Sequence, residues 1–125
     1  MITIRKATED DCILFFLCRY GVDNPDAPPY KEHIKWYKQN YKKDFFVVCR
    51  KDAGIGYIRI DKDKYVSIAF YPWEKHKGNG KVALCFLVEN YYNLKAKIHE
   101  TNMPSRMLFE KFPQIEVEII RNRTI

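Results

Sequence analysis

Between residues 45 and 71 three apolar-rich runs, 45–50, 55–60 and 65–71, are separated only by the short turns Asp52-Ala53-Gly54 and Asp61-Lys62-Asp63-Lys64. Runs of this length read as strands, and gaps this short can join only antiparallel neighbours. A three-stranded meander is therefore expected at the middle of the chain, with Asp61 and Asp63 as turn residues. After it the period changes. Residues 82–92 are apolar on nearly every side, as a buried central helix would be. Residues 95–99 read as a short strand. Residues 102–112 read as a helix burying Met103, Met107 and Leu108, and residues 114–120 alternate as a last strand.

Residues 2–6, ahead of the meander, alternate as a first strand. Thr8 offers a helix cap, with Glu9, Asp10 and Asp11 in the positive first turn. Ile13, Phe16, Leu17 and Tyr20 follow at helical spacing and predict a buried face. Residues 21–29, rich in Gly, Asp, Asn and Pro, predict a loop. Residues 30–41, with Tyr30, Ile34, Tyr37 and Tyr41, predict a second amphipathic helix. The order is β-α-α-β-β-β-α-β-α-β. It implies an α/β (α+β) fold with a mixed, mostly antiparallel sheet flanked by helices. At 125 residues, the chain is expected to form one domain over 1–125.

Chemistry concentrates where strand 66–70 gives way to His76-Lys77-Gly78-Asn79-Gly80-Lys81 and then to the apolar helix. Glycines let backbone approach a ligand closely, and the free N–H groups of a helix's first turn suit a pyrophosphate. Lys77 and Lys81 would add charge at its edges. The spacing is not that of a Walker loop. The third glycine of a dinucleotide fingerprint is missing, and hairpin-connected strands precede the segment.

With this order of elements, Lys77-Gly78-Asn79-Gly80-Lys81-Val82 resembles the pyrophosphate loop R/Q-x-x-G-x-G/A of the GNAT superfamily of N-acetyltransferases. Lysine stands at the first position and Val82 at the last small-residue position. Asn102-Met103-Pro104-Ser105-Arg106-Met107-Leu108-Phe109-Glu110-Lys111 is similar to the family's N-x-x-[SA]-x-x-L-[YF]-x-K. Ile4 to Asp11 resembles its first strand and cap. His33-Ile34-Lys35-Trp36 resembles the H-x-x-W of members that acetylate nucleotide-linked amino sugars, which would make His33 and Trp36 substrate contacts; a plain amphipathic helix explains them equally well.

The resemblance implies acetyl-coenzyme A as cosubstrate and transfer of its acetyl group to a primary amine. It implies that backbone at Ala69, Phe70 and Tyr71 pairs with the pantetheine arm and polarises the thioester. The N–H groups from Gly78 to Val82 would hold the pyrophosphate, and Asn102 and Ser105 would lie near the thiol. Where relatives carry an acidic tyrosine this chain has Phe109, leaving Ser105, water or no acid at all. His99 and Glu100 at the end of the fifth strand are candidate bases, as are His33 and His76. No metal-ligand spacing appears.

The formal net charge of +6 favours anionic partners, but the basic clusters are short, so nucleic acid is possible and not favoured. Protein or nucleic-acid-attached amines, and a non-catalytic coenzyme-binding module, remain alternatives. Cys12, Cys18, Cys49 and Cys85 form no C-x-x-C pair and read as free thiols. No signal region and no membrane-spanning run appear, so a cytoplasmic monomer or homodimer is expected.

Overall fold

The computed structural model describes residues 1–21 and 24–121. The elements are β1 (Ile2–Lys6), α1 (Cys12–Tyr20), α2 (Tyr30–Asn40), β2 (Phe45–Arg50), β3 (Ala53–Ile60), β4 (Val66–Phe70), α3 (Asn79–Asn90), β5 (Lys95–His99), α4 (Met103–Glu110) and β6 (Glu116–Ile120). This is the expected order; within the expected loop 21–29, residues 22 and 23 lie outside the described residues. Single 3-10 turns at Glu9–Asp11 and Pro72–Glu74 lead into α1 and follow β4. Among the described residues no helix is long and apolar enough to cross a membrane.

β1 to β4 form an antiparallel sheet in the order β1-β2-β3-β4. β5 and β6 pair in parallel, with Lys97 opposite Glu118. The two sheets touch at one place, where the Lys95 N–H donates to the Lys64 carbonyl at 2.9 Å and Tyr65 bridges Lys95 in parallel sense. Beyond that bridge β4 and β5 share no ladder, so the mixed sheet is split along its parallel seam.

Helices cover both faces. α3 and α4 enclose an aliphatic core that includes Ile58, Ile60, Leu84, Leu87, Ala96 and Ile98. On the opposite face α1 and α2 bury Phe15, Tyr37, Phe45 and Tyr57. The 3-10 turn that leads into α1 starts from a capping box: Thr8 Oγ1 accepts from the Asp10 N–H at 3.3 Å, and the Thr8 N–H donates to Asp11 Oδ2 at 2.8 Å. Arg5 clasps the same carboxylate with both Nη atoms at 2.8 Å. Burial pushes the Asp11 carboxyl up, but Arg5 and the Thr8 amide outweigh it and hold it below its ordinary value.

Two expected helix faces are corrected. In α1 the buried residues are Leu14 and Phe15, while Ile13 is 48% exposed. The helix lies between two partners: Phe15 stacks on Tyr57 at 4.5 Å, and Phe16 meets Tyr30 of α2 at 5.0 Å. A tighter 3-10 turn ahead of it also rotates its phase. In α4, Met103 and Met107 are 51% and 60% exposed. Leu108 is half-buried as expected, and the inward row is completed by Ser105, Phe109 and, just past the helix, Phe112.

Candidate functional site

β4 and β5 run parallel from their single bridge and separate toward their carboxyl ends, at Phe70 and His99. α3 follows β4 and α4 follows β5, so both helices begin at the mouth of the gap. Open sheets bind ligands at the carboxyl ends of strands at such a break.

Backbone groups left unpaired along a sheet edge require partners. The Tyr71 N–H donates to the Ile55 carbonyl at 3.0 Å, and the Tyr71 carbonyl accepts from Glu74 at 2.9 Å. Tyr71 is therefore fully committed. Strand alternation then turns the backbone of Ala69, opposite Tyr57, toward β3 as well. Of the expected trio only Phe70 turns its N–H and C=O into the gap. Ile68, two residues earlier, does the same; it was missed because motif matching does not say which edge of a strand is free.

The glycine segment lies deeper in α3 than expected, since the helix begins at Asn79 rather than at residue 82. Gly78 caps it with φ 79° and ψ 6°, a left-handed conformation that glycine adopts at little cost. Asn79, Gly80 and Lys81 are then first-turn residues whose N–H groups have no intrahelical acceptor, whereas the Val82 N–H is directed at the Gly78 carbonyl. Gly80 has a second duty. A Cβ there would sit 2.7 Å from Leu108 Cδ2, so the glycine lets α3 and α4 approach closely.

A polar knot that was not foreseen fixes this turn. Asn79, 4% exposed, donates from Nδ2 to the Glu74 carbonyl at 2.9 Å. Arg50 Nη2 donates to Asn79 Oδ1 at 3.2 Å and to Glu74 Oε2 at 3.3 Å. Lys77 Nζ lies 3.7 Å from the same carboxylate. The Asn79 side chain thus holds the loop and is not free for a ligand. Lys81 and Val82 are exposed.

On the other lip, Asn102 Oδ1 accepts from the Ser105 N–H at 3.3 Å and caps α4. Ser105 is half-buried just inside that turn. His99 ends β5 with Nδ1 2.7 Å from Thr101 Oγ1 and 3.2 Å from the Thr101 N–H. Its Nε2 is buried with no hydrogen-bond partner among the described residues. Because Nδ1 accepts from the Thr101 N–H, the neutral ring carries its proton on Nε2; Nε2 becomes a free acceptor when that bond is given up and Nδ1 donates to Thr101 Oγ1 instead. Glu100 lies 3.6 Å from Arg121 Nε. His76 is in the loop, with φ 64°. Phe109 is buried in the aliphatic core and brings no proton to the gap.

His33 and Trp36 do not lie with these groups. They line an open cleft of about 310 Å³ on the α1/α2 face, with Arg19, Tyr20, Pro28 and Glu32. His33 is 4% exposed, with Nε2 3.1 Å from the Cys12 carbonyl, and it packs against Phe16. Burial lowers its pKa against the raising effect of that carbonyl, and Arg19 lowers it further. A second cleft of about 340 Å³, between α4 and β6, is lined by Phe109, Pro113, Ile115 and Val117, away from the mouth. The thiols are free; burial pushes Cys18 up to about 12, so it is no nucleophile at neutral pH.

No protein-family model and no curated protein matches the sequence. Solved structures do match. A ribosomal-protein-alanine N-acetyltransferase from Brucella melitensis superposes with TM-score 0.74 at 18% identity, over 89% of this chain and 83% of that one. A Salmonella typhimurium protein solved with its cofactor acetyl-CoA gives 0.68 at 20% identity, over 90% and 78%. A GNAT-family acetyltransferase from Bacillus anthracis gives 0.67 at 18%, over 90% and 78%. The fold of this chain is the GNAT fold.

Proposed function

We propose that this chain is an acetyl-CoA-dependent N-acetyltransferase acting on a primary amine of a small molecule. The observation that carries the reading is the split between β4 and β5, with a free strand edge on one lip and the start of α3 at its mouth. An extended pantetheine arm fits along that edge as an added strand, against the backbone of Ile68 and Phe70. The free N–H groups of Asn79, Gly80 and Lys81 receive the pyrophosphate, with Lys81 and Lys77 neutralising charge. The acceptor nitrogen attacks the thioester carbonyl, a C–N bond forms, and the C–S bond breaks to release the thiolate. A backbone N–H at the gap stabilises charge on the carbonyl oxygen.

His99 is the base of choice. It stands at the end of β5 and acts through the tautomer in which Nδ1 gives its proton to Thr101 Oγ1, at the expense of the Thr101 N–H bond, and Nε2 is a free acceptor; the Glu100 carboxylate is engaged by Arg121. Ser105 is the hydroxyl best placed to give the thiolate a proton. The site belongs to one domain spanning 1–125. A nucleotide-linked amino sugar is one candidate acceptor, with His33 and Trp36 lining the cleft on the α1/α2 face.

Calorimetric titration of acetyl-CoA into wild type and Lys81→Asp tests the coenzyme site. An acidic residue in the first helical turn is favourable for stability but repels a pyrophosphate. The variant is expected to melt no lower than wild type and to bind at least about tenfold more weakly, the loss of one charge-assisted contact. No binding to folded wild type overturns the reading. Binding without thiol release across an amine panel, in the presence of coenzyme, leaves a non-catalytic binding module, a reading favoured by the lack of a hydroxyl at Phe109. His99→Gln should keep coenzyme affinity and lower turnover by about a hundredfold or more.

A further inference from the structure

The α1/α2 face holds two arginines, Arg19 and Arg59, that form no ion pair among the described residues. Three other arginines meet carboxylates, Arg5 with Asp11 at 2.8 Å, Arg50 with Glu74 at 3.3 Å and Arg121 with Glu100 at 3.6 Å, and Arg106 donates to the Glu100 backbone carbonyl at 2.9 Å. Arg59 on β3 has none among the described residues, and its Nε is buried without a hydrogen-bond partner. Its guanidinium carbon lies 5.4 Å from the centroid of the Trp36 ring and 6.0 Å from that of Phe45. Arg19 on α1 lies 5.6 Å from the same Trp36 ring and 5.1 Å from Tyr20. Burial lowers the Arg59 pKa, and repulsion from Arg19 lowers it further, outweighing the raising effects of Tyr57 and Asp61.

An orphaned buried N–H is destabilising, and a desolvated cation facing a like charge more so. Stacking on aromatic rings returns only part of that. Such a cost is consistent with a place that a ligand completes. The position is informative too. Arg59 pairs in register with Ser67, and Tyr57, whose phenol feels both arginines, pairs with Ala69. Ser67 stands about 10 Å along β4 from Phe70. An anion held by Arg59 and Arg19 is therefore within a small molecule's length of the gap. Arg19 and Trp36 line the cleft of about 310 Å³ on this face, and the exposed Glu32 also lines it.

We infer that the acceptor subsite is an anion clamp: Arg59 and Arg19, held on Trp36, bind the carboxylate or phosphate of a small amine whose nitrogen reaches the gap between β4 and β5. This rests on the acetyltransferase reading and narrows its acceptor to anionic amines.

The test pairs each anionic amine with a neutral one of equal length: aminoethyl phosphate against ethanolamine, and β-alanine against its amide. Acetyl transfer is read as thiol release for wild type, Arg59→Met, Arg59→Lys and Arg19→Gln, with acetyl-CoA affinity measured separately. Wild type is expected to prefer the anionic member of at least one pair by about tenfold to a hundredfold in kcat/KM, the worth of a charge-assisted contact. A phosphate-only or carboxylate-only preference identifies the anion. Arg59→Met should abolish the preference without changing acetyl-CoA affinity, and Arg59→Lys should restore part of it. Equal use of neutral amines by wild type, or a preference that survives both Arg59→Met and Arg19→Gln, overturns the clamp and leaves the acetyltransferase reading standing. Should wild type transfer nothing, titration of aminoethyl phosphate and β-alanine into wild type and Arg59→Met decides. Binding lost in the variant supports the clamp; no binding of either compound to wild type, or equal binding to both proteins, overturns it.

Discussion

The two faces of the sheet are built from different materials. Against α3 and α4 the buried side chains are nearly all aliphatic, with Ile58, Leu84 and Leu87 at 0% exposure. Against α1 and α2 half of them are rings: Phe15 stacks between Tyr57 at 4.5 Å and Phe45 at 5.3 Å, and Tyr37 meets His33 and Tyr41. An aliphatic core has no polar atoms to satisfy, so it serves as a rigid support for the two helix starts at the gap. A ring core carries hydroxyls and nitrogens that need partners, as when Tyr37 donates to the Thr8 carbonyl at 2.6 Å. Its ring faces also accept cations, which is how Arg19 and Arg59 come to lie there. Support lies on one side of the sheet and polar recognition on the other.

The largest expected effect contrasts the two sides directly. Leu87→Ala should cost about 2–5 kcal/mol of unfolding free energy, and Phe15→Ala about 3–5 kcal/mol, both read by chemical denaturation. Coenzyme affinity of the folded fraction should survive each change. Selectivity for the acceptor should survive Leu87→Ala but fall in Phe15→Ala, because Phe15 packs on the Phe45 ring that Arg59 overlies. Equal selectivity in both variants would break the division of labour.

A smaller effect probes the seam between the two helix starts. Gly80→Ala gains helix propensity worth up to about 1 kcal/mol but drives a methyl into Leu108. In a Leu108→Ala background the clash is gone, and Gly80→Ala should become stabilising. A double-mutant cycle should therefore show coupling of about 0.5–2 kcal/mol. Zero coupling would return Gly80 to a purely ligand-facing role.

The smallest effect is a pH dependence on the ring side. The His33 pKa is depressed below its ordinary 6.5, so the unfolded chain takes up a proton first. Its contribution is complete above 6.5 and is lost as pH falls through the lower folded value. Melting temperatures measured downward from pH 6.5 should drop in wild type and flatten in His33→Phe. The Asp11 contribution, by contrast, is kept until pH falls below its ordinary 3.8. The two windows can thus be told apart.

Much of this was legible in order and spacing. The strand at residues 45–50, the helix after the glycines and the final β-α-β unit followed from local periodicity, because alternation and helical spacing are properties of neighbouring residues. The Thr8 cap and the Asp61 turn were legible for the same reason; each is closed within a few residues by its own hydrogen bonds. The anion-binding character of the turn before residue 82 was readable from Gly78 and Gly80, although the duty of Gly80 toward Leu108 was not.

What sequence could not decide depends on partners distant along the chain. Whether Ala69 or Phe70 turns its backbone to the gap depends on register with β3. Whether Met107 or Phe109 faces inward depends on where α4 crosses α3. The Arg50–Glu74–Asn79 knot joins residues 24 and 29 positions apart. Arg59 and Arg19 meet over Trp36 only because two helices and a strand converge there. Local pattern determined which elements form and in what order. Which atoms were left without a partner, and therefore where a ligand is wanted, was decided by tertiary packing, because a hydrogen bond is satisfied by whatever lies near in space.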